Sequence, residues 1–296
     1  MPFDVVGVGA NSVDFVYRLP HRPDFDGVSK VRIREHDVRC GGQVTTALAT
    51  CASLGLRTAY VGAVGNDANG RMMLEELARR HIDTTHAVVR HSGNPYAVIL
   101  VDDESGERVV LWDRPGPLAL AATDLPRAVI ASARLVHVDD VDVAAAIETA
   151  RIARGAGVPV TSDIDTMSER TPELVRAVSI PIFAEHVPRE LTGEADFERA
   201  LRCIRSYHQG RLCVTLGARG AMMLDGDTLH VAPALAVRTV DSTGAGDVFR
   251  GAFIHALLEG RRPDDILRWA NVAARLSCTK PGAMNSVPTP EEMQAA

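Results

Sequence analysis

Along the chain, apolar and polar positions follow two periods, and the changes between them mark the elements. Asp4 to Gly9 is a short apolar run that predicts a buried strand. It empties into Ala10-Asn11-Ser12-Val13-Asp14, which reads as a polar loop. From Tyr17 to Cys40 the pattern is polar, broken by prolines, with weak alternation at Val31 and Ile33; it predicts strands outside the main core. Gly41-Gly42-Gln43 opens an amphipathic helix through Val44, Ala47, Leu48, Cys51 and Ala52, closed by Gly55. Thr58 to Val64 is the next buried strand, and a helix carrying Met72, Met73 and Leu74 follows. Strands reaching Asp139, Asp163, Glu185 and Gly217 then alternate with helices, and two long helices follow residue 247. The first of these carries Val248, Phe249, Ala252, Phe253 and Ala256 on one face; the second carries Ile266, Ala270, Ala273 and Ser277, and the chain then closes with Pro281-Gly282-Ala283 and a polar tail.

Two passages break this alternation. Residues 97–101 and 108–112 are apolar runs joined by the acidic turn Asp102-Asp103-Glu104-Ser105-Gly106, with no room for a helix, so they predict an antiparallel hairpin. Together with 17–40, the segment 92–113 predicts a small sheet projecting from the body as a lid. Met222 to Leu224 and Leu229 to Val231 form a second β-rich passage about a turn at 225–227. The remainder predicts a three-layer α/β/α fold, doubly wound about a mostly parallel sheet, with 1–296 as one domain. Ligands collect at the carboxyl ends of such strands, which places Asn11 and Asp14 beside a site.

Composition narrows the function classes. Hydrophobic residues make up 46% and charged residues 24%, ordinary for a soluble globular chain. The formal charge of −6 gives nucleic-acid binding no electrostatic support. Five cysteines without CxxC spacing fit reduced thiols in a cytoplasmic protein, and no apolar run reaches membrane-spanning length. His137 lies within a strand and reads as a core histidine. The strand-end acids match no metal-loop spacing; they read as loop acids facing a cleft, with Asp139 and Asp163 foremost.

One stretch concentrates chemistry: Asp241-Ser242-Thr243-Gly244-Ala245-Gly246-Asp247, running straight into the first long helix. Gly244 to Gly246 fall at the helix N-terminus, where unpaired N–H groups and the positive dipole end attract anions. A phosphate cradle alone would avoid a carboxylate there. A site that also removes a proton beside a phosphate needs one. Taken by itself the stretch is equally a turn with a favourable first-turn acid.

In order and spacing the chain resembles the ribokinase-like (phosphofructokinase-B-type) carbohydrate kinases along nearly its whole length. The resemblance rests on Gly41-Gly42-Gln43-Val44-Thr45-Thr46 and on Asp241 to Asp247 followed by Phe249 and Gly251. Support comes from Gly62 to Gly70, Gly106-Glu107-Arg108 and Thr215 to Gly220. It implies a ribokinase-like fold and an ATP- and Mg²⁺-dependent kinase acting on a hydroxyl of a small sugar. Asp247 would be the general base, and the amides of Gly244, Ala245 and Gly246 the anion hole. Asp14, Asn11, Gly41, Gly42, Gln43 and Asp139 would hold the acceptor. Thr215, Gly217, Gly220 and Asn271 would line the nucleotide. Asp241 and Thr243 would bind a monovalent cation such as K⁺, and the lid would form a homodimer interface. Three positions depart from the family pattern: Thr46 stands for an Asn, Ser242 for a Thr, and no Asn-x-x-Glu follows residue 184, leaving Glu185 as the stand-in for water-mediated Mg²⁺ binding. A nucleoside or vitamin kinase on the same fold, and a catalytically weak nucleotide- or sugar-binding regulator, are the alternatives. Few aromatics and several polar acceptor groups favour a sugar over a ring that would be stacked.

Overall fold

The computed structural model describes residues 2–21, 23, 27, 30–104 and 108–296. Ser105, Gly106 and Glu107 of the expected hairpin turn, and parts of the segment 17–40, lie outside the described residues.

Fourteen strands form three sheets among the described residues. They are β1 (Val5–Val8), β2 (Ser12–Leu19), β3 (Glu35–Gly41), β4 (Thr58–Val61), β5 (Ala63–Gly65), β6 (Val88–Arg90) and β7 (Tyr96–Asp102). There follow β8 (Arg108–Asp113), β9 (Leu135–Val138), β10 (Val160–Ile164), β11 (Ile180–Phe183), β12 (Leu212–Thr215), β13 (Ala221–Asp225) and β14 (Thr228–Ala232). The main sheet has the order β14-β13-β12-β11-β10-β9-β1-β4. It is parallel from β4 to β12, and antiparallel only where β13 and β14 extend it. The short strands β5 and β6 pair by themselves.

Residue alternation along β1 explains the three layers. Val5 joins the core on one face and Val6 and Val8 the core on the other, since successive side chains of a strand point to opposite sides. On the first face pack α1 (Gln43–Ser53) and α2 (Ala68–Arg79). On the second pack α3 (Arg127–Ser132), α4 (Val143–Gly155), α5 (Thr171–Ala177), α6 (Val187–Thr192) and α7 (Phe197–Arg205). The first face also takes α8 (Ala245–Leu258), α9 (Pro263–Ser277) and α10 (Pro290–Ala295). Ile266, Ala270, Ala273 and Ser277 are all buried, as their spacing requires. His137 is a core histidine: its Nδ1 lies 3.0 Å from Thr161 Oγ1, and burial pushes its pKa down to about 3.

The third sheet, small and separate, stands where the lid was expected and has the order β3-β2-β7-β8. Here two readings need correction. Ser12, Val13 and Asp14 are not loop but the start of β2, because only Gly9 to Asn11 separate it from β1. The segment after Ala283 is not a polar tail: it folds into α10, closed by a capping box between Thr289 and Glu292 and anchored by buried Met293.

Candidate active site

The centre of the site is the turn that enters α8. Gly244 takes φ 76°, a left-handed conformation that only glycine adopts cheaply, and a Cβ there would lie 2.6 Å from the Cβ of Ala283. No side chain caps this helix end. Its first amides therefore lack the usual internal partner and are available to an outside anion. The Ala245 N–H leans toward Ser242 O at 3.3 Å, so the Gly246 and Asp247 end of the turn is the more open part. Upstream, Asp241 braces the turn. Its Oδ1 accepts the Thr243 N–H (2.9 Å) and its Oδ2 accepts the Gly282 N–H (2.8 Å), tying the Pro281-Gly282-Ala283 segment to the site.

Asp247 stands in the first turn of α8, beside Asp163 at the C-terminal end of β10. The two carboxyls influence each other's protonation, and Arg250, one helical turn after Asp247, puts Nη2 2.6 Å from Asp163 Oδ1. Arg250 and Asp163 are almost fully enclosed. The guanidinium also underlies the anion turn, since a Cβ on Gly246 would meet Arg250 Nη1 at 2.7 Å. Burial raises the pKa of Asp247 well above the usual carboxylate range, the charge of Asp163 raises it further, and Arg250 opposes both. Burial likewise raises Asp163, with Arg250 opposing. The result is two electrostatically coupled buried carboxyls beside one buried cation. Sequence reasoning marked Asp163 only as a cleft acid and missed Arg250, although its i+3 spacing from Asp247 put the two on one helix face.

Across the cleft, Asp14 rises from β2. Its Oδ1 accepts the Ser12 hydroxyl at 2.8 Å, and a Cβ on Gly41 would touch its Oδ2 at 2.7 Å, so Gly41 leaves the room Asp14 occupies. Burial raises its pKa, and the neighbouring Asp241 adds to the rise. Gly42, with φ 102°, brings the start of α1 within van der Waals reach of the Asn11 backbone. Gln43 is the first residue of α1 and half-buried. Asp14, Asp241 and Thr243 share the lining of a cavity of about 350 Å³ between the lid sheet and the turn.

Two expected acceptor contacts are committed inside the protein. Asn11 donates from Nδ2 to Tyr60 Oη (2.9 Å) and Ala63 O (2.8 Å), and its Oδ1 accepts from Asn94 Nδ2 (2.9 Å). Asp139 is buried, accepting the N–H groups of Ala10 (2.6 Å) and Val141 (3.1 Å), and burial pushes its pKa up to about 8. Both side chains therefore hold the β1–β2 link. Far along the sheet, Thr215 donates to Phe183 O (3.2 Å), and Gly217 and Gly220 turn the chain between β12 and β13. Asn271 donates to the carbonyls of Ala232 (3.0 Å) and Pro233 (3.2 Å), which fixes the loop after β14. Glu185 is half-exposed and paired with Arg219 at 2.7 Å. Among the described residues no three His, Cys, Asp or Glu side chains cluster as a metal cage. Among the described residues no helix is long and apolar enough to cross a membrane.

A doubly wound sheet with an uncapped glycine turn, an adjacent carboxyl pair and a small separate sheet is the architecture of the ribokinase-like fold. The comparisons agree: residues 4–290 match the pfkB family carbohydrate kinase model, and the chain belongs to that family. It is 28% identical over 267 residues to a ribokinase of Haemophilus influenzae, covering 88% of this chain and 87% of that one. A Mus musculus ribokinase is also 28% identical, with 99% and 94% covered. The structure of Arabidopsis thaliana ribokinase complexed with ribose and ATP superposes with a TM-score of 0.86 over 100% of this chain and 98% of that one; at 24% identity that likeness speaks for the fold.

Proposed function

We propose that this carbohydrate kinase transfers the γ-phosphoryl group of ATP to a hydroxyl of a small sugar or sugar derivative held between Asp14 and Asp247. The observation that carries this reading is a carboxylate, Asp247, in the same helical turn as the uncapped amides that follow Gly244. Asp247 takes the hydroxyl proton, the amides of Gly244 to Gly246 meet the charge on the transferring phosphoryl group, and Arg250 adds positive charge beneath them. Asp14, Gln43 and the Gly41–Gly42 backbone orient the acceptor.

ATP enters along Thr215, Gly217 and Gly220. The exposed Leu235 and Val237 offer its base an apolar wall that Asn271 holds in place. Mg²⁺ neutralises phosphate charge and is held chiefly by phosphate oxygens and water, so it needs no protein cage. Glu185 would serve it through water once released from Arg219. K⁺ at Asp241 and Thr243 would share Asp241 with the two N–H groups it accepts and with Arg39 Nη1, 3.6 Å away.

We also read the lid as a homodimer surface, because edge strand β8 exposes Val110, Leu111 and Trp112 in succession. Light scattering should show a dimer that Trp112→Asp dissociates; a monomeric native protein would remove this part. For the reaction, Asp247→Asn should keep ATP binding by calorimetry while turnover in an ADP-release assay falls by about 10²–10⁴, the usual weight of a general base. A variant with most of its turnover intact would take Asp247 out of the mechanism.

A further inference from the structure

Asp241 stands just upstream of the anion turn, and a carboxylate there opposes the charge that phosphoryl transfer gathers at the amides of Gly244 to Gly246. That charge has to be neutralised. A monovalent ion at Asp241 would share the carboxylate with a cation that the chain already supplies. Asp241 Oδ1 accepts the Thr243 N–H, while its Oδ2 accepts the Gly282 N–H and faces Arg39 Nη1 at 3.6 Å.

Arg39 reaches this carboxylate from the lid. It lies on β3 opposite Asp14 of β2, and its stem runs over Gly282. A Cβ on Gly282 would come within 2.5 Å of Arg39 Cδ and 3.2 Å of its Nη1, so a glycine at 282 leaves the room the arginine fills. The pair is sheltered, with the side chains of Arg39 and Asp241 11% and 18% exposed. Away from the turn, Arg39 Nε donates to Asp37 Oδ2 at 2.7 Å, which orients the guanidinium. Asp37 is 49% exposed, and water can serve it in the arginine's absence; Asp241 has far less water to draw on. The same charge reaches Asp14, whose pKa burial and Asp241 raise and Arg39 lowers. A second cation beside Asp241 Oδ2 would meet the guanidinium as a like charge where little water screens it. The residues present therefore suit an arginine better than an exchangeable ion.

We propose that Arg39 is the resident cation of the anion turn, neutralising Asp241 in place of a dissociable monovalent ion, so that the protein needs no K⁺. The proposal rests on the kinase reading above, and it makes Arg39 a positioning residue that acts through Asp241.

The test compares the whole chain in potassium chloride and in tetramethylammonium chloride at equal ionic strength, so that general screening is held constant. The thermal unfolding midpoint reads ion binding directly, because a bound ion stabilises the folded state by mass action. ADP release with Mg²⁺, ATP and a sugar acceptor reads the reaction; it is followed by chromatography, so that no coupling enzyme adds a salt dependence of its own. The native midpoint and kcat/KM should not differ between the two salts. Arg39→Gln should lose about tenfold in kcat/KM without K⁺, the weight of one charge-assisted hydrogen bond. K⁺ should restore part of that loss and raise the variant's midpoint, since the ion enters where the guanidinium stood. Arg39→Lys keeps the charge and should stay indifferent to K⁺. A native midpoint or kcat/KM raised by K⁺ alone overturns the proposal, and that arm requires no variant to fold. So does a loss in Arg39→Gln that K⁺ does not restore and Arg39→Lys shares, which would make Arg39 a strut. ADP release in neither salt overturns the kinase reading, while the midpoints still decide whether K⁺ binds Arg39→Gln and not the native protein.

Discussion

The two charged clusters that face each other across the cleft are built on opposite principles. Under Asp247, Arg250 and Asp163 lie in the body of the fold with side-chain exposures of 4% and 2%. On the lid, Arg18 and Asp103 meet with exposures of 35% and 23%, and Asp103 is shared with Arg34. In the body there is no water to replace a lost partner, so each charge there governs the protonation of the next. On the lid, water screens the pairs and can substitute for them. On the proposed mechanism the difference divides the labour: proton chemistry falls to the buried body, and the small sheet carries charges that can change without unfolding the protein.

This contrast can be broken most directly at Arg250. Arg250→Met leaves Asp163 buried without its cation and should cost about 3–5 kcal/mol of stability, measured by urea unfolding; a loss below 1 kcal/mol would show that water reaches the cluster. Asp163→Asn sharpens the same point through pH. In the proposed reaction Asp247 works deprotonated, so activity should rise as pH climbs through its pKa, which burial and then Asp163 hold above the usual carboxylate range. Removing the charge of Asp163 while Arg250 remains should move the acid limb of the kcat/KM profile to lower pH. A limb that stays in place would uncouple the two carboxyls. The smallest effect is expected on the lid, where Asp103→Asn should change the urea midpoint by no more than about 1 kcal/mol equivalent. A larger loss would mean that the lid pairs are not interchangeable with water.

Much of the body was legible because its elements are long and strongly periodic. The buried stripes of α1, α8 and α9, the strands between them and the hairpin at 97–112 follow directly from spacing. Asp14 was placed beside the site, but on a loop, because a three-residue link between β1 and β2 leaves too little polar sequence to mark where one strand ends. Arg250 looked like an ordinary polar position on a buried helix. Its meaning comes from Asp163, which lies 87 positions earlier in the chain, on a different element. Gly282 and Ala283 read as a chain end for the same reason: their contacts to Asp241 and Gly244 are made only when α9 returns the chain to the site. Asn11 and Asp139 carry internal bonds that spacing does not reveal. Asn11 ties the β1–β2 link to Tyr60, Ala63 and Asn94, and Asp139 accepts the Ala10 N–H of that link.

The pairing of β2 with β7 has a consequence for how the molecule opens. Val13 lies against Tyr96 and Leu19 against Asp102, so the centre of the lid joins segments 83 residues apart. Between them the chain builds α1, β4 and α2, which belong to the body. Leu19, Ala97 and Ile99, buried within the small sheet, belong to neither of the two hydrophobic cores, so the sheet can open while the body stays closed. Amides of β2 and β7 should exchange with solvent well ahead of those of β1 and β9, so the molecule can lose its grip on an acceptor while the machinery beneath Asp247 stays intact.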